Sequence, residues 1–524
     1  MHRSFTKLSQ DRFLPIGLLE SYLSVISTGM ELPVVTEKTV YLLANEIEHF
    51  IKSYLSDDLE RSAVLHWLTQ GLDFAITRMD SGAAIRIGEV ICQLANKDPD
   101  LLAQMLGKVI ESGSIKGHNT AYFWMRALYL ATFGIRNDGA ILAINLIFTH
   151  LIHHAKEPIQ KSLLFRCLEG PREGENGIYL LSLAINKLSL DKLDNPLAEM
   201  LTTLLFRLMA QMPESSDRDA LIELKGSILL RDKHTLYVLV TTLKEAVKHN
   251  PPVVSMICSI LSRIITHQPI DILNVAFFKP AVFGESQGLA SIHILLTALV
   301  SATYIRGNNE VIANLCAIIN QLILAAPPQM LLALTHDIIR DRRANTNGIS
   351  WLVQSLVAAT EHELDIAPIS QILIKLIDTD SISMAKAFKD SVVLDREDSV
   401  TISPLERLIK TVTLAKKGDK SLVIINGIIE KLAESTFYEQ FKSSLPKAMR
   451  ALLRVNLGKK SVAPELVPEA VISAAGVPDE KVYSTTKRTL LFSSGVEAST
   501  DSPLFSIDTD DSKETTTRSV PGRE

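Results

Sequence analysis

The feature that most constrains the fold of this chain is a capped apolar helix that returns at a nearly constant interval. The clearest copy begins at Asn347, whose side chain can accept a hydrogen bond from the unpaired N–H groups of a first helical turn. Apolar residues then follow at the i, i+3, i+4, i+7 spacing that places them on one helical face: Ile349, Leu352, Val353 and Leu356. Similar runs are headed, at intervals of 55 to 58 residues, by Ser62, Thr120, Gly177, Thr235, Ser291, Gly348 and Ser403. Because a repeated interval of this kind is typical of stacked repeat proteins, the sequence predicts an array of helical units.

Each unit is predicted to contain three helices, which we call A, B and C. In the first full unit they span 62–77, 81–96 and 98–111. The B helices open with residues that suit a first helical turn, as in Asn195-Pro196, Asn250-Pro251, Asn308-Asn309 and Ala367-Pro368. The C helices are shorter, for example 158–168, 218–230 and 329–340. The predicted fold class is therefore all-α, a right-handed α-solenoid of about seven three-helix repeats with about 57 residues each.

The chain is expected to divide into four parts. Residues 1–60 depart from the repeat pattern and are predicted to form an N-terminal helical cap, whose outer face meets water. The α-helical repeat domain follows at 61–455, and a short capping helix is predicted within 456–476. Residues 477–524 are rich in Ser, Thr and acids, so they cannot bury enough apolar surface to offset their ordering entropy. We predict a disordered polar tail there.

Composition narrows the classes of partner. The net charge of −5 argues against nucleic acid, since neutralising phosphates requires clustered Lys and Arg. The four cysteines lie inside apolar helical runs without paired spacing: Cys92, Cys167, Cys258 and Cys316. This pattern predicts reduced core thiols in a reducing compartment, and therefore a cytoplasmic protein.

Two uncharged windows, at 286–305 and 311–336, could be mistaken for membrane spans. Both lie in register with the repeats, and helices packed between neighbours are apolar nearly all round. The prediction is therefore that both windows are buried core. A membrane-associated helical protein is the alternative, because the mean hydropathy is +0.18.

No zinc, nucleophile-elbow, phosphate-loop or kinase-type motif occurs, and the sequence predicts no catalytic residue, cofactor or metal. Four glycines at the heads of A helices are predicted to turn the chain rather than to cradle phosphates: Gly117, Gly177, Gly288 and Gly348. His150 and His154 have the i, i+4 spacing of metal ligands, with His153 between them. A solvated helix end is the favoured interpretation of these histidines, because His near a helix C-terminus also interacts favourably with the helix dipole.

Two further groups of residues have alternative interpretations. The three tryptophans (Trp67, Trp124 and Trp351) lie in A helices, where they either pack between units or line a binding groove. The basic cluster Arg340, Arg342 and Arg343 is predicted to end a C helix and complement its dipole. The other interpretation of this cluster is a site for an acidic ligand. No binding residue is assigned from the sequence.

The three-helix unit, the stacking and the absence of chemistry resemble armadillo and HEAT-type α-solenoids. The repeat here is longer than theirs and lacks their usual Pro and Asp/Arg positions, so the resemblance concerns architecture. It implies a non-enzymatic scaffold that binds a partner protein through an extended groove built from the same helix of every unit. An enzyme with an unrecognised site is a further alternative.

A second resemblance is to secreted effectors of intracellular bacteria of the Legionella group. It is based on the helix heads 345–352 and 174–177 and on the acidic, small-residue tail at 508–517. In that family such a tail acts as a type IV secretion signal. The resemblance implies translocation into a host cell and a host protein as the partner, whereas the composition of the tail alone indicates only generic disorder.

Overall fold

The computed structural model describes residues 117–434 and seven isolated residues between 85 and 109. Gaps within the main range fall at 134–135, 155, 168–173, 191–194, 223–233, 281–288, 337, 341–342, 391–392, 396–399 and 415–419. The chain forms two compact units, 1–460 and 461–524, and every described residue belongs to the first. The predicted N-terminal cap, the capping helix at 456–476 and the polar tail all lie outside the described residues, as does Trp67.

Helices follow one another in the predicted order of A, B and C, and we number them in chain order. The A helices are α1 Thr120–Ala131, α4 Gly177–Ser189, α7 Thr235–Ala246, α10 Ser291–Thr303, α13 Gly348–Glu361 and α16 Pro404–Leu414. The B helices are α2 Asp138–His154, α5 Pro196–Gln211, α8 Pro251–His267, α11 Asn309–Ala325, α14 Ala367–Thr379 and α17 Lys420–Glu434. The C elements are α3 Lys156–Leu164, α6 Asp217–Leu221, α9 Ile270–Leu273, α12 Pro327–Thr335 and α15 Ser381–Asp390. A 3-10 turn, Glu214–Ser216, precedes α6, and a π turn, Asn274–Phe278, continues α9.

Stacking in register is visible in the helix contacts. Each A helix packs on the next A helix, from α1 to α16, and each B helix packs on the next B helix, from α2 to α17. The C helices pack beside the A helices, as α3 does against both α1 and α4. One apolar core extends through all of these units. The helical repeat fold predicted from the sequence is therefore confirmed.

The residues that cap the A helices lie one position earlier than most of the predicted heads. Asn119, Asn176 and Asn347 precede α1, α4 and α13, and their side-chain oxygens accept hydrogen bonds from backbone N–H groups of the first turn at 2.7 to 3.0 Å. Thr120 and Gly177 are the first helical residues. The reason is that an amide side chain accepts from the first turn only if its own residue stands just outside the helix.

Two short hairpins, which were not predicted, lie between repeats. Strand β1 (Ile338–Arg340) pairs antiparallel with β2 (Arg343–Thr346), and β3 (Val393–Asp395) pairs antiparallel with β4 (Val400–Ile402). The predicted C helix at 329–340 is therefore wrong at its end, since α12 stops at Thr335 and His336 is extended. The β-branched pair Ile338-Ile339 that follows favours a strand.

The two uncharged windows contain core helices. Helix α10 is buried along most of its length, and α11 contributes Leu315, Ile319 and Leu322 to the core. Among the described helices, none by itself has the length and apolarity to cross a membrane. Helices α11 and α12 meet that requirement only as a pair, and a bend of 117° separates them.

Candidate binding surface

The described A helices lie mostly in the interior of the repeats, although Leu130 of α1 and Glu361 of α13 are exposed. Trp124 on α1 is fully buried, and its ring meets Phe148 of α2 edge to face at a centroid distance of 6.0 Å. Trp351 on α13 is partly buried against the core and lies 6.0 Å from the His293 ring of α10. Core packing between helices and units is therefore the role of these two tryptophans.

The heads of the A helices are closed by the protein's own side chains. Asn119 accepts from the Tyr122 N–H at 2.7 Å and donates to the Ser162 carbonyl, in the last turn of α3, at 2.8 Å. Asn176 makes the same pair of bonds with Tyr179 N–H and with the Asp219 carbonyl of α6. Each amide thus caps the start of an A helix and the end of the C helix of the same repeat.

Histidine side chains make hydrogen bonds at the starts of the next two A helices, α7 and α10. His234 precedes α7 and its Nδ1 accepts from the Tyr237 N–H at 3.1 Å. His293 lies inside the first turn of α10, where Nδ1 accepts from the Ala290 N–H at 3.1 Å and Nε2 lies 2.9 Å from the Ala333 carbonyl of α12. These bonds require neutral rings with the proton on Nε2 of His293. Burial lowers the pKa of His234 to about 4, with a smaller contribution from Lys279, and burial also lowers the pKa of His293.

Two of the head glycines serve close packing rather than a turn. A Cβ atom on Gly177 would lie 2.7 Å from Leu163 Cδ2, and one on Gly348 would lie 2.5 Å from Leu334 Cδ2. Both glycines are the first residue of an A helix and touch the preceding C helix. Only Gly117 has the positive φ, 82°, that fits the predicted turn, and Gly288 lies outside the described residues.

The candidate ligand clusters of the sequence do not converge. His150 and His153 lie in the last turns of α2, where His153 is exposed to solvent. Within the described residues, no group of three or more His, Cys, Asp or Glu side chains is placed to hold a metal ion. Arg340 and Arg343 belong to the strands β1 and β2, so the prediction that they end a C helix is wrong; Arg342 is outside the described residues.

The four cysteines are buried, as predicted, and burial raises the pKa of the Cys258 thiol to about 12. Cys167 has a partner that sequence reasoning missed, because its Sγ lies 3.7 Å from Nε2 of His118. Close by, the Tyr122 hydroxyl donates to the Glu175 carboxylate at 2.8 Å. A thiol and an imidazole at this distance suit a nucleophile and its base. Cys167 is only 2% exposed, however, so the pair is closed to a substrate.

The solvent-facing side of the B helices is one surface that runs along the described repeats. We call the solvent-facing side chains of α2, α5, α8, α11, α14 and α17 the B surface. Contacts between neighbouring helices hold it together: Gln321 donates to Ser262 Oγ at 2.9 Å, and Thr203 donates to Met256 Sδ at 3.4 Å. The B surface is therefore continuous through the six described B helices.

The B surface combines short side chains at its centre with large apolar side chains that are exposed at several points along it. At the centre, α8 and α11 present mainly short side chains: Ser255, Ser259, Ser262, Ala313, Asn314 and Ala317. Glu310 and Leu324 of α11 are exposed there as well, Leu324 at 70%. Towards the ends, large apolar side chains are exposed on α2, α5 and α17: Leu142, Leu146, Phe206 and Val423. Exposed large apolar groups of this kind mark interaction sites. The sequence signal for them was available, since Leu142 and Leu146 stand on the side of α2 opposite its core stripe.

Comparisons with known proteins assign no family. No protein-family model matches the sequence, and the search of curated proteins gives no match. Among the solved structures that match is one with 12% identity and a TM-score of 0.30, over 84% of this chain and 97% of that one. It is described as a circular tandem repeat protein with novel repeat topology and enhanced subunit contact surfaces. A TM-score of this size carries no argument, so the helical repeat assignment is based on the helix packing of this chain.

Proposed function

We propose that this chain is a non-enzymatic α-helical repeat scaffold that binds a partner protein along the B surface. The observation that supports it is the continuity of that surface, along which short side chains lie beside exposed apolar ones. Short side chains let a partner's backbone approach the helices, while the exposed apolar groups serve as anchors. The proposal includes a right-handed solenoid of about seven repeats, in which the B surface lines an extended groove.

A partner pull-down with matched variants tests this proposal. Ala313→Arg and Ser259→Arg place a long charged side chain at exposed positions in the centre of the B surface. We expect either variant to abolish recovery of a stoichiometric protein partner, because the added side chain fills the space that the partner would occupy. Asp271→Arg, at an exposed position on a C element, is the control that should retain the partner. Equal recovery with all three variants would contradict the proposal.

We also propose that the scaffold is an effector translocated into a host cell, where the partner is a host protein. The support is the resemblance of the helix heads and of the polar tail to effectors of the Legionella group. A reporter fused to the full chain should enter host cells from bacteria with a working type IV system and not from a system-deficient strain. Deletion of 477–524 should abolish entry, and entry of the deleted form would contradict a role for the tail as a secretion signal.

A further inference from the structure

Three consecutive C elements present large apolar side chains to solvent. The π turn at 274–278 packs against α12, and α12 packs against α15. Val275, Leu332 and Ile382, one on each element, are 45%, 58% and 55% exposed. We call this group the C patch. Apolar groups exposed on adjoining elements mark a protein or a membrane contact.

Helix α12 at the centre of the C patch is uncharged and only partly buried. It contains no charged residue over its nine positions, and it buries only Met330 and Leu334 in the core. Helix α11 is fixed in the core by its own apolar face, so α12 cannot enter a bilayer as the second half of a span. A short helix of this kind can instead lie in the plane of a membrane with its outer face among the headgroups.

Basic side chains flank the C patch. Lys386 and Lys389 follow Ile382 at i+4 and i+7 on α15, so all three share one face, and both lysines are exposed. Lys279, just after the π turn, is exposed as well. Acidic residues also lie near the patch: Asp271 is exposed, Asp390 ends α15 next to Lys389, and the Asp380 carboxylate accepts hydrogen bonds from the Ile382 and Ser383 N–H groups at the start of α15.

We infer that the C patch rests on an anionic lipid bilayer. Leu332 and Ile382 enter the boundary between headgroups and acyl chains, and the flanking lysines meet the lipid phosphates. Charge complementarity favours a bilayer over a second copy of the chain, since two copies would bring their lysines together. This contact lies on the C elements and is independent of a partner on the B surface.

Vesicle sedimentation with the purified full chain tests the inference. We expect the protein to sediment with vesicles of phosphatidylcholine and phosphatidylserine, to stay in solution with phosphatidylcholine alone, and to be released by salt. Leu332→Asp should lower the partition coefficient about tenfold or more, because it replaces an apolar contact by a charge of the wrong sign. Removing the charge of Lys386 or Lys389 should cost about fivefold each.

Matched variants distinguish membrane binding by the C patch from non-specific binding and from the effects of misfolding. Leu146→Asp changes a leucine that is 53% exposed on the B surface, and Lys375→Glu reverses an exposed lysine on α14; both should bind vesicles like the parent chain. Thermal melts by circular dichroism verify that each variant is folded. The inference fails if phosphatidylserine does not increase binding of the parent chain to vesicles. It also fails if the Leu332→Asp and Leu146→Asp variants bind vesicles equally well. A third contrary result would be that the parent chain forms a dimer in gel filtration, that Leu332→Asp is a monomer, and that the parent chain does not bind vesicles.

Discussion

The Asn119 side chain illustrates how one residue can hold a repeat together. Its oxygen caps α1 and its amide nitrogen donates to Ser162, which lies 43 residues away in the last turn of α3. The residue is fully buried, so both backbone groups depend on it rather than on water. Asn176 makes the same pair of bonds, so the asparagine at each position serves two contacts. Only the first of these contacts can be recognised from a capping pattern in the sequence.

Asn119→Ala should destabilise the repeat formed by α1, α2 and α3 by about 2 to 4 kcal/mol. The loss combines a missing cap, about 1 kcal/mol, with a buried carbonyl left without its donor, about 1 to 3 kcal/mol. Urea unfolding followed by tryptophan fluorescence measures the change. Asn119→Ser keeps the cap oxygen but lacks the reach to Ser162, so it should recover about 1 kcal/mol. Equal stability of the alanine variant and the parent would show that the two bonds contribute nothing.

His234 makes the stability of the middle repeats depend on pH. Burial holds its pKa at about 4 in the folded chain, whereas the unfolded chain takes up the proton near the ordinary value of 6.5. Stability is therefore complete above the unfolded pKa and is lost as pH falls from there towards 4. The expected loss is about 2 kcal/mol between pH 7.5 and pH 5.

The variant His234→Asn tests that origin of the pH dependence. Asparagine supplies the same cap oxygen as in the neighbouring repeats but does not titrate. Thermal melts at the two pH values should show a smaller decrease in Tm for the variant than for the parent chain. An unchanged decrease would assign the acid sensitivity to other groups.

At the scale of the elements, glycine sets how closely an A helix approaches the preceding C helix. Gly348 begins α13 directly against Leu334 of α12, where a Cβ atom would also come within 3.0 Å of the leucine Cα. Backbone atoms cannot yield as a side chain can, so the two helices would have to separate. Spacing between repeats thus depends on a residue chosen for its missing side chain.

Gly348→Ala should therefore destabilise the chain by about 1 to 3 kcal/mol through overpacking. The control is Gly427→Ala in the middle of α17, where a Cβ atom would meet nothing within 4 Å. That change should stabilise the chain by about 0.5 to 1 kcal/mol, because alanine favours a helix interior. Urea midpoints of the two variants should shift in opposite directions. A neutral Gly348→Ala would mean that α12 and α13 can separate without cost.

At the scale of the whole array, stability is carried by contacts between neighbouring repeats. Arg263 of α8 donates to both carboxylate oxygens of Asp217 at 2.9 Å and to the Met212 carbonyl at 2.7 Å. Asp217 is fully buried at the start of α6. Arg263 of α8 therefore supplies the counter-ion for a carboxylate of the preceding repeat. In a linear array each such interface acts on its neighbours and weakens with distance.

Arg263→Met should leave Asp217 buried without a counter-ion and cost about 3 to 5 kcal/mol locally. Hydrogen exchange read by mass spectrometry should show lost protection in α5, α6 and α8, with α14 and α17 unchanged. Lys431→Met is the matched control, because Lys431 of α17 pairs with Asp378 of α14 across an exposed repeat boundary. It should cost at most about 1 kcal/mol. A uniform loss of protection over all helices would contradict the linear-array description.

The sequence by itself determined the described A and B helices, their order and their interval, because capping residues and the 3.6-residue apolar period act within one or two turns. It missed the hairpin at Ile338–Arg340, where a short apolar run satisfies a strand as well as a helix. Only the tertiary structure decided which atoms meet across repeats, such as the second bond of Asn119, the pair of Arg263 and Asp217, and the close approach at Gly348. Those contacts join residues 43 or more positions apart or depend on how closely two helices pack, and no local pattern records either quantity.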